Sequence, residues 1–240
     1  MSDPILSLSA VYTDIAQYHI LQGVDLVVPR GQVTMLLGRN GVGKTTTLKT
    51  IMGQWAAKSG QIQFGGADIT QMATSARARA GIGFVPEDMG IFSDLTVAEN
   101  MALGCISGPL KPERKDWLLS AFPALATFWE AEAGNLSGGQ KQMLSIARAL
   151  AEDRKLYLID EPTKGLAPAI VSTMAAALRE LKAQGASILL VEQNFSVAKA
   201  LGDSAAVMDD GRVIWTGEMA ELATSKDLQE RLMGLSMEAH

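Results

Sequence analysis

The chain has 240 residues, 48% of them hydrophobic and 20% charged, with a formal net charge of −5. That length buries a core without staples, and that composition excludes a disordered or low-complexity chain. The acidic balance excludes an unaided grip on nucleic acid, and the single cysteine, Cys105, excludes an intramolecular disulfide and points to a reducing compartment.

In chain order, Met1-Ser2-Asp3-Pro4 carries no secretion signal, and Leu6, Leu8, Ala10 and Tyr12 alternate as in a half-buried strand. Val24–Val28 is a second strand candidate. Pro29-Arg30-Gly31 turns the chain into an apolar strand, Gln32–Leu37. A glycine-rich loop over Gly38–Lys44 follows, then a helix over Thr45–Met52 and a short strand at Ile62–Phe64. Thr96-Val97-Ala98-Glu99 is a capping-box pattern. Residues 96–150 pattern mostly as helix, broken at Gly104–Pro112 and Phe122-Pro123. Strand signals return at Leu156–Ile159, Ser187–Val191 and Ala205–Met208. Asp209-Asp210-Gly211 reads as a tight turn into Arg212–Trp215, and the tail from Glu218 as helix. No run approaches the ~18 consecutive apolar residues of a spanning helix, so the chain reads as soluble and cytoplasmic. The fold predicted is α/β, with a mostly parallel sheet and hairpins at the front that form an N-terminal antiparallel β subdomain. Residues 1–86 and 151–240 form its core, and residues 87–150 form an inserted helical lobe of the same single domain.

Gly38-Arg39-Asn40-Gly41-Val42-Gly43-Lys44-Thr45 matches the phosphate-loop pattern G-x-x-x-x-G-K-[ST] between a strand and a helix. Glycines let backbone N–H groups curl around phosphate oxygens, and the helix N-terminus adds a favourable dipole. Lys44 reaches the β- and γ-phosphates, and the Thr45 hydroxyl suits Mg²⁺. Leu156-Tyr157-Leu158-Ile159-Asp160-Glu161 is a buried-type strand ending in two carboxylates, which places them at the ligand crevice of an α/β sheet. Asp160 suits Mg²⁺, and Glu161 suits the base that deprotonates an attacking water. Leu136-Ser137-Gly138-Gly139-Gln140 opens a helix with a capping box. A cap does not require two adjacent glycines, which weaken a helix by roughly 1 kcal/mol each. They make sense where a phosphate approaches the backbone closely, so this is a second anion-binding helix start.

With these three motifs in this order, nearly the whole chain resembles the ATP-binding subunits of ABC transporters. Gly38–Thr45 resembles their Walker A loop, Leu136–Gln140 their signature and Leu156–Glu161 their Walker B strand with its catalytic glutamate. The resemblance implies ATP and Mg²⁺ as cofactors. It implies nucleotide contacts from Gly38, Arg39, Asn40, Gly41, Val42, Gly43, Lys44, Thr45 and Thr46, with Tyr12 stacked on adenine. It also implies a head-to-tail dimer with a second, identical or homologous subunit, whose Ser137, Gly138, Gly139 and Gln140 close over the γ-phosphate. Transmembrane permease subunits, and indirectly a solute-binding protein, are the further partners implied, with no nucleic acid. The location implied is the cytoplasmic face of the inner or plasma membrane.

Three positions depart from the usual pattern. Glu87 stands at the Q-loop glutamine, where it keeps an oxygen ligand for Mg²⁺ but adds a charge. Gln193 stands at the switch histidine, where it still donates to the γ-phosphate without becoming cationic. Ala167 replaces the D-loop aspartate. Together these resemble the subgroup serving branched-chain amino-acid uptake and its relatives for urea or short amides. Rival readings explain less. A kinase or GTPase leaves Leu136–Gln140 without a purpose, and a DNA-repair or ribosome-associated ATPase of this family would carry coiled coils, a second cassette or basic insertions.

Overall fold

A computed structural model describes residues 3–233, so the end of the tail, with His240, lies outside the described residues. β1 (Pro4–Ile15) and β2 (Tyr18–Pro29) form a hairpin, and β3 (Val33–Leu37) leads through the glycine loop into α1 (Lys44–Met52). β4 (Ser59–Phe64), β5 (Ala67–Asp68), α2 (Thr74–Ala80) and β6 (Ile82–Val85) follow. The chain then runs through α3 (Val97–Ala102), α4 (Pro112–Ala121), α5 (Pro123–Thr127) and α6 (Gly138–Ala149) before returning in β7 (Leu156–Asp160). α7 (Pro168–Ala183), β8 (Ser187–Val191), α8 (Phe195–Leu201), β9 (Ser204–Asp209), β10 (Arg212–Glu218), α9 (Met219–Thr224) and α10 (Lys226–Met233) complete it.

The strands form two sheets. One is antiparallel, in the order β2-β1-β4-β5. The other has the order β10-β9-β3-β8-β7-β6 and is parallel except for β10, so the expected α/β class with an antiparallel β portion holds. The central strands β3, β7 and β8 are buried along their whole length, which explains why they read as apolar runs rather than alternations. Their two-residue period divides them between two cores. Val33, Met35, Leu37, Tyr157, Ile159, Ile188 and Leu190 face the core shared with α3–α7. Leu36, Leu156, Leu158, Leu189 and Val191 face the core under the antiparallel sheet.

Register aligns the strand ends. Val191 pairs with Leu36 of β3 on one side and with Asp160 of β7 on the other. The loops after β3, β7 and β8 therefore emerge side by side at the C-terminal edge, where open α/β sheets bind ligands.

One expectation needs correction. The alternation of Leu6, Leu8, Ala10 and Tyr12 breaks at a bulge: Ala10 takes a φ of 46°, so Val11 and Thr13 are buried while Ala10 and Tyr12 face outwards. Gly60 makes room for it, since a Cβ there would stand 2.2 Å from the Ala10 carbonyl oxygen. α7 follows from its own residues: Pro168 at its first position and the spacing of Met174, Leu178 and Leu181 mark an amphipathic helix. Both expected capping boxes form, at Thr96 with Glu99 and at Ser137 with Gln140.

Arg77 closes the far end of α1. Buried from solvent, it donates from Nη1 to the carbonyls of Thr50 (2.9 Å) and Ile51 (2.7 Å), from Nε to Met72 (2.8 Å) and from Nη2 to Thr70 (2.9 Å). The bonds to Thr50 and Ile51 satisfy carbonyls at the end of α1, those to Thr70 and Met72 pin the loop before α2, and the charge suits the negative end of the dipole. Arg77→Ala should therefore destabilise the domain by about 3 kcal/mol, and Arg77→Lys should recover only part because an ammonium lacks the fork. Urea unfolding checks this; a loss well under about 1 kcal/mol would show that the cap is dispensable.

Candidate nucleotide site

The loop after β3 is preformed. Lys44, itself buried, donates to the Gly38 and Arg39 carbonyls at 2.8 Å each, which folds the loop around its own ammonium. Burial pushes the Lys44 pKa down, while the charges of Glu161 and Asp160 oppose that. Gly38 is obligatory, because at φ 139° a Cβ would stand 2.3 Å from the Met208 carbonyl oxygen. Gly41, at φ 83°, faces open space, which leaves its backbone approachable by a phosphate oxygen. Val42 packs against the core under the antiparallel sheet. Gly43 caps α1, whose free N–H groups point into the loop.

β7 delivers the two carboxylates beside it. Asp160 is completely buried, and neither of its oxygens has a hydrogen-bond partner. Burial pushes its pKa up to about 6. The nearby Thr45 hydroxyl, which closes no hydrogen bond to it, offsets part of this, while the charges of Glu161 and Glu87 add to it. Glu161 takes a φ of 44°, a strained conformation for a residue other than glycine, and its N–H is tied to the Val191 carbonyl at 2.9 Å. Its Oε1 lies 3.9 Å from Lys44 Nζ, and its buried Oε2 accepts no hydrogen bond. Three buried carboxylate oxygens without hydrogen bonds, both of Asp160 and one of Glu161, are costly, and such an arrangement suits an incoming cation and a water. The donor set fits Mg²⁺ in particular: a hydroxyl, a bare carboxylate and few other protein ligands leave positions for phosphate and water oxygens.

Asn40, Gly41, Gly43, Lys44, Thr45, Thr46, Glu87 and Glu161 line one open pocket of about 470 Å³. Two further residues share the wall that the motifs did not mark, Ile20 of β2 and Lys164. Tyr12 is not on that wall; it is 40% exposed, and its ring lies over Gly23. Gln193 is exposed after β8, also off the wall. Ser137–Gln140 is likewise elsewhere. There the capping box occupies the Ser137 and Gln140 amides and leaves those of Gly138 and Gly139, the next two orphan donors of the helix start.

Sequence reasoning missed Glu192. Buried between two loops, its Oε1 accepts from the Thr163 N–H (3.1 Å) and hydroxyl (2.6 Å), and its Oε2 from the Gln193 (3.0 Å) and Asn194 (3.1 Å) N–H groups. It thereby ties the turn after Glu161 to the loop that carries Gln193. An acid directly after an apolar strand was its only local signal. A second tie runs to the helical lobe, where Ser145 and Arg148 of α6 donate to the Met89 carbonyl and Arg148 also to Gly90, just beyond Glu87.

The sequence profile described as "ABC transporter" matches residues 21–164. The chain is 37% identical over 232 residues to the high-affinity branched-chain amino acid transport ATP-binding protein BraG of Pseudomonas aeruginosa, covering 96% of this chain and 100% of that one. It is 34% identical over 233 residues to the probable branched-chain amino acid transport ATP-binding protein LivF of Archaeoglobus fulgidus, covering 96% and 98%. A crystal structure of a nucleotide-free ATP-binding cassette from an ABC transporter superposes with a TM-score of 0.81 at 26% identity, covering 95% of this chain and 98% of that one.

The bare Asp160 carboxyl has a consequence for stability. Its folded pKa of about 6 lies above the ordinary 3.8, so the unfolded chain gives up this proton first. Stability is then lost as pH rises from about 4 through about 6, by about 3 kcal/mol in total. In chelator, without nucleotide, Asp160→Asn should raise the unfolding free energy at pH 8 by up to that amount and change it little at pH 4. Equal stability of the two proteins at pH 8 would show that the carboxylate is satisfied in the fold.

Proposed function

The chain belongs to the ABC transporter family, and on that premise we propose that it powers a membrane importer of branched-chain or other small amino acids. As a member it binds nucleotide and hydrolyses ATP in coupling to transport. Among the described residues no helix is long and apolar enough to cross a membrane. In this reading the path for solute belongs to permease subunits, and the subunit sits at their cytoplasmic face, with a solute-binding protein as a more distant partner. The amino-acid specificity rests on the relatives' names and on Glu87, Ala167 and Gln193. The same departures keep import of urea or a short amide as the second reading.

The observation that carries the mechanism is the pair of buried carboxylates beside the Lys44 loop, Asp160 with no hydrogen bond and Glu161 with one oxygen that accepts none. In the proposed assignment, the amides of Gly38–Thr46 and the Lys44 ammonium bind the β- and γ-phosphates. Thr45, Asp160 and Glu87 hold Mg²⁺, which when bound supplies charge neutralisation at the transferring phosphoryl group. Glu161 orients a water and takes its proton as the oxygen attacks phosphorus and the bond to ADP breaks. Its strained backbone and the Glu192 tie keep the carboxylate and the Gln193 loop in fixed relation, and Gln193 donates a neutral hydrogen bond to the γ-phosphate. Tyr12 stacks on adenine, which requires its ring to turn from Gly23 toward the loop.

The remaining assignment is the second anion site. The free Gly138 and Gly139 amides serve the nucleotide of a partner subunit in a head-to-tail dimer, with Ser137 and Gln140 shaping the helix start. Gly138 offers a clean test, because a Cβ there meets nothing within 4 Å, whereas one at Gly139 would strike Ile170 Cδ1 at 2.2 Å. Gly138→Asp should leave ATP binding to the isolated subunit unchanged, as read by calorimetry. It should abolish ATP-driven dimerisation in light scattering and leucine uptake in cells that depend on this subunit, because a carboxylate repels the γ-phosphate. Normal dimerisation and uptake would overturn the assignment.

A further inference from the structure

The nucleotide pocket contains a charge that none of its motifs supplies. Lys164 stands in the turn between β7 and α7, and its ammonium donates to Glu87 Oε1 at 2.6 Å. It also lies 3.6 Å from Glu161 Oε2, the buried oxygen with no hydrogen-bond partner. Glu161 is therefore held between two lysines, with Lys44 at 3.9 Å from its other oxygen. The two cations differ in freedom. Lys44 is buried and fixed by two carbonyls, whereas Lys164 is more than half exposed on a flexible stem, and Glu87 is itself exposed. Glu87 and Glu161 bring two carboxylates to the pocket wall, with Asp160 buried behind them at the end of β7, and Lys164 reaches both wall carboxylates from the solvent side.

We propose that Lys164 is a built-in stand-in for the divalent cation, neutralising Glu87 and Glu161 until nucleotide and metal arrive together. The inference rests on the site reading given above, in which Glu87 is a metal ligand. Glu87 exchanges the ammonium for the divalent ion, and Lys164 swings into solvent on its four-carbon stem. Two consequences follow from charge alone. The pocket without nucleotide resists filling by stray divalent ions, because an ion entering alone must displace an ammonium already in place. The concentration of divalent ion needed to load the pocket is set partly by the Glu87–Lys164 pair. Because that pair is exposed, its effect is modest and is screened by salt.

The test uses the full chain with saturating ADP and Mn²⁺ as the probe, reading free Mn²⁺ by electron paramagnetic resonance. Lys164→Met keeps the length and removes the charge; it should lower the half-saturating Mn²⁺ concentration roughly two- to fivefold. Lys164→Arg should remain close to wild type, and the Met effect should shrink at about 0.5 M salt. A Lys164→Met protein that needs as much Mn²⁺ as wild type overturns the proposal. One that needs more also overturns it, and places the ammonium on the nucleotide phosphates. Lys44→Ala separates the two levels: if it binds Mn²⁺ and ADP as tightly as wild type, the site reading fails first and the proposal falls with it.

Discussion

Two buried carboxylates, three of whose oxygens accept no hydrogen bond, at the end of a strand with no solvent on either face, are the constraint on which the rest of this structure depends. Asp160 and Glu161 cost the fold free energy, since burial disfavours their charge and nothing donates to Asp160 or to one oxygen of Glu161. The surroundings keep them in place nonetheless. β7 is paired on both sides, the Glu161 N–H is tied to β8, and Glu192 fastens the following turn to the next loop with four hydrogen bonds. A site held this rigidly in an unsatisfied state favours whatever ligand completes it.

The architecture supports that arrangement through register rather than through any single contact. Division of the central strands between two cores prevents sliding, because a slip of one residue would exchange every side chain between the helical lobe and the antiparallel sheet. With register fixed, the loops after β3, β7 and β8 meet at one edge. The same core reaches into the lobe, so α6, whose first turn is the proposed second anion site, is anchored by Ser145 and Arg148 to the segment after Glu87. The segment after Glu87 and the helical lobe are thereby joined within one subunit.

Legibility in the sequence followed the range of the physics. The Lys44 loop, the β7 carboxylates and the two capping boxes are local, so residue order alone displayed them. The strands with both faces buried were legible as apolar runs, with Ser187–Val191 matching β8 end to end. The phase of β1 was not, because a bulge at Ala10 depends on Gly60 from another strand. Arg77, Glu192 and Lys164 were illegible for the same reason: each acts on groups brought close only by tertiary folding, and an isolated charge in a sequence reads as a solvated surface. Tyr12 and Gln193 took their proposed roles from family resemblance, and neither is on the pocket wall, which Ile20 and Lys164 share.

The most direct measurement of the central claim is single-turnover hydrolysis of ATP by Glu161→Gln beside wild type, with ATP affinity measured on the same proteins. The amide keeps the shape and the position in the crevice but accepts no proton. The account predicts unchanged ATP binding and a turnover slowed roughly 10²- to 10⁴-fold, the contribution of a positioned general base. Turnover at the wild-type rate would contradict it, because the strained carboxylate after β7 would then have no part in the chemistry.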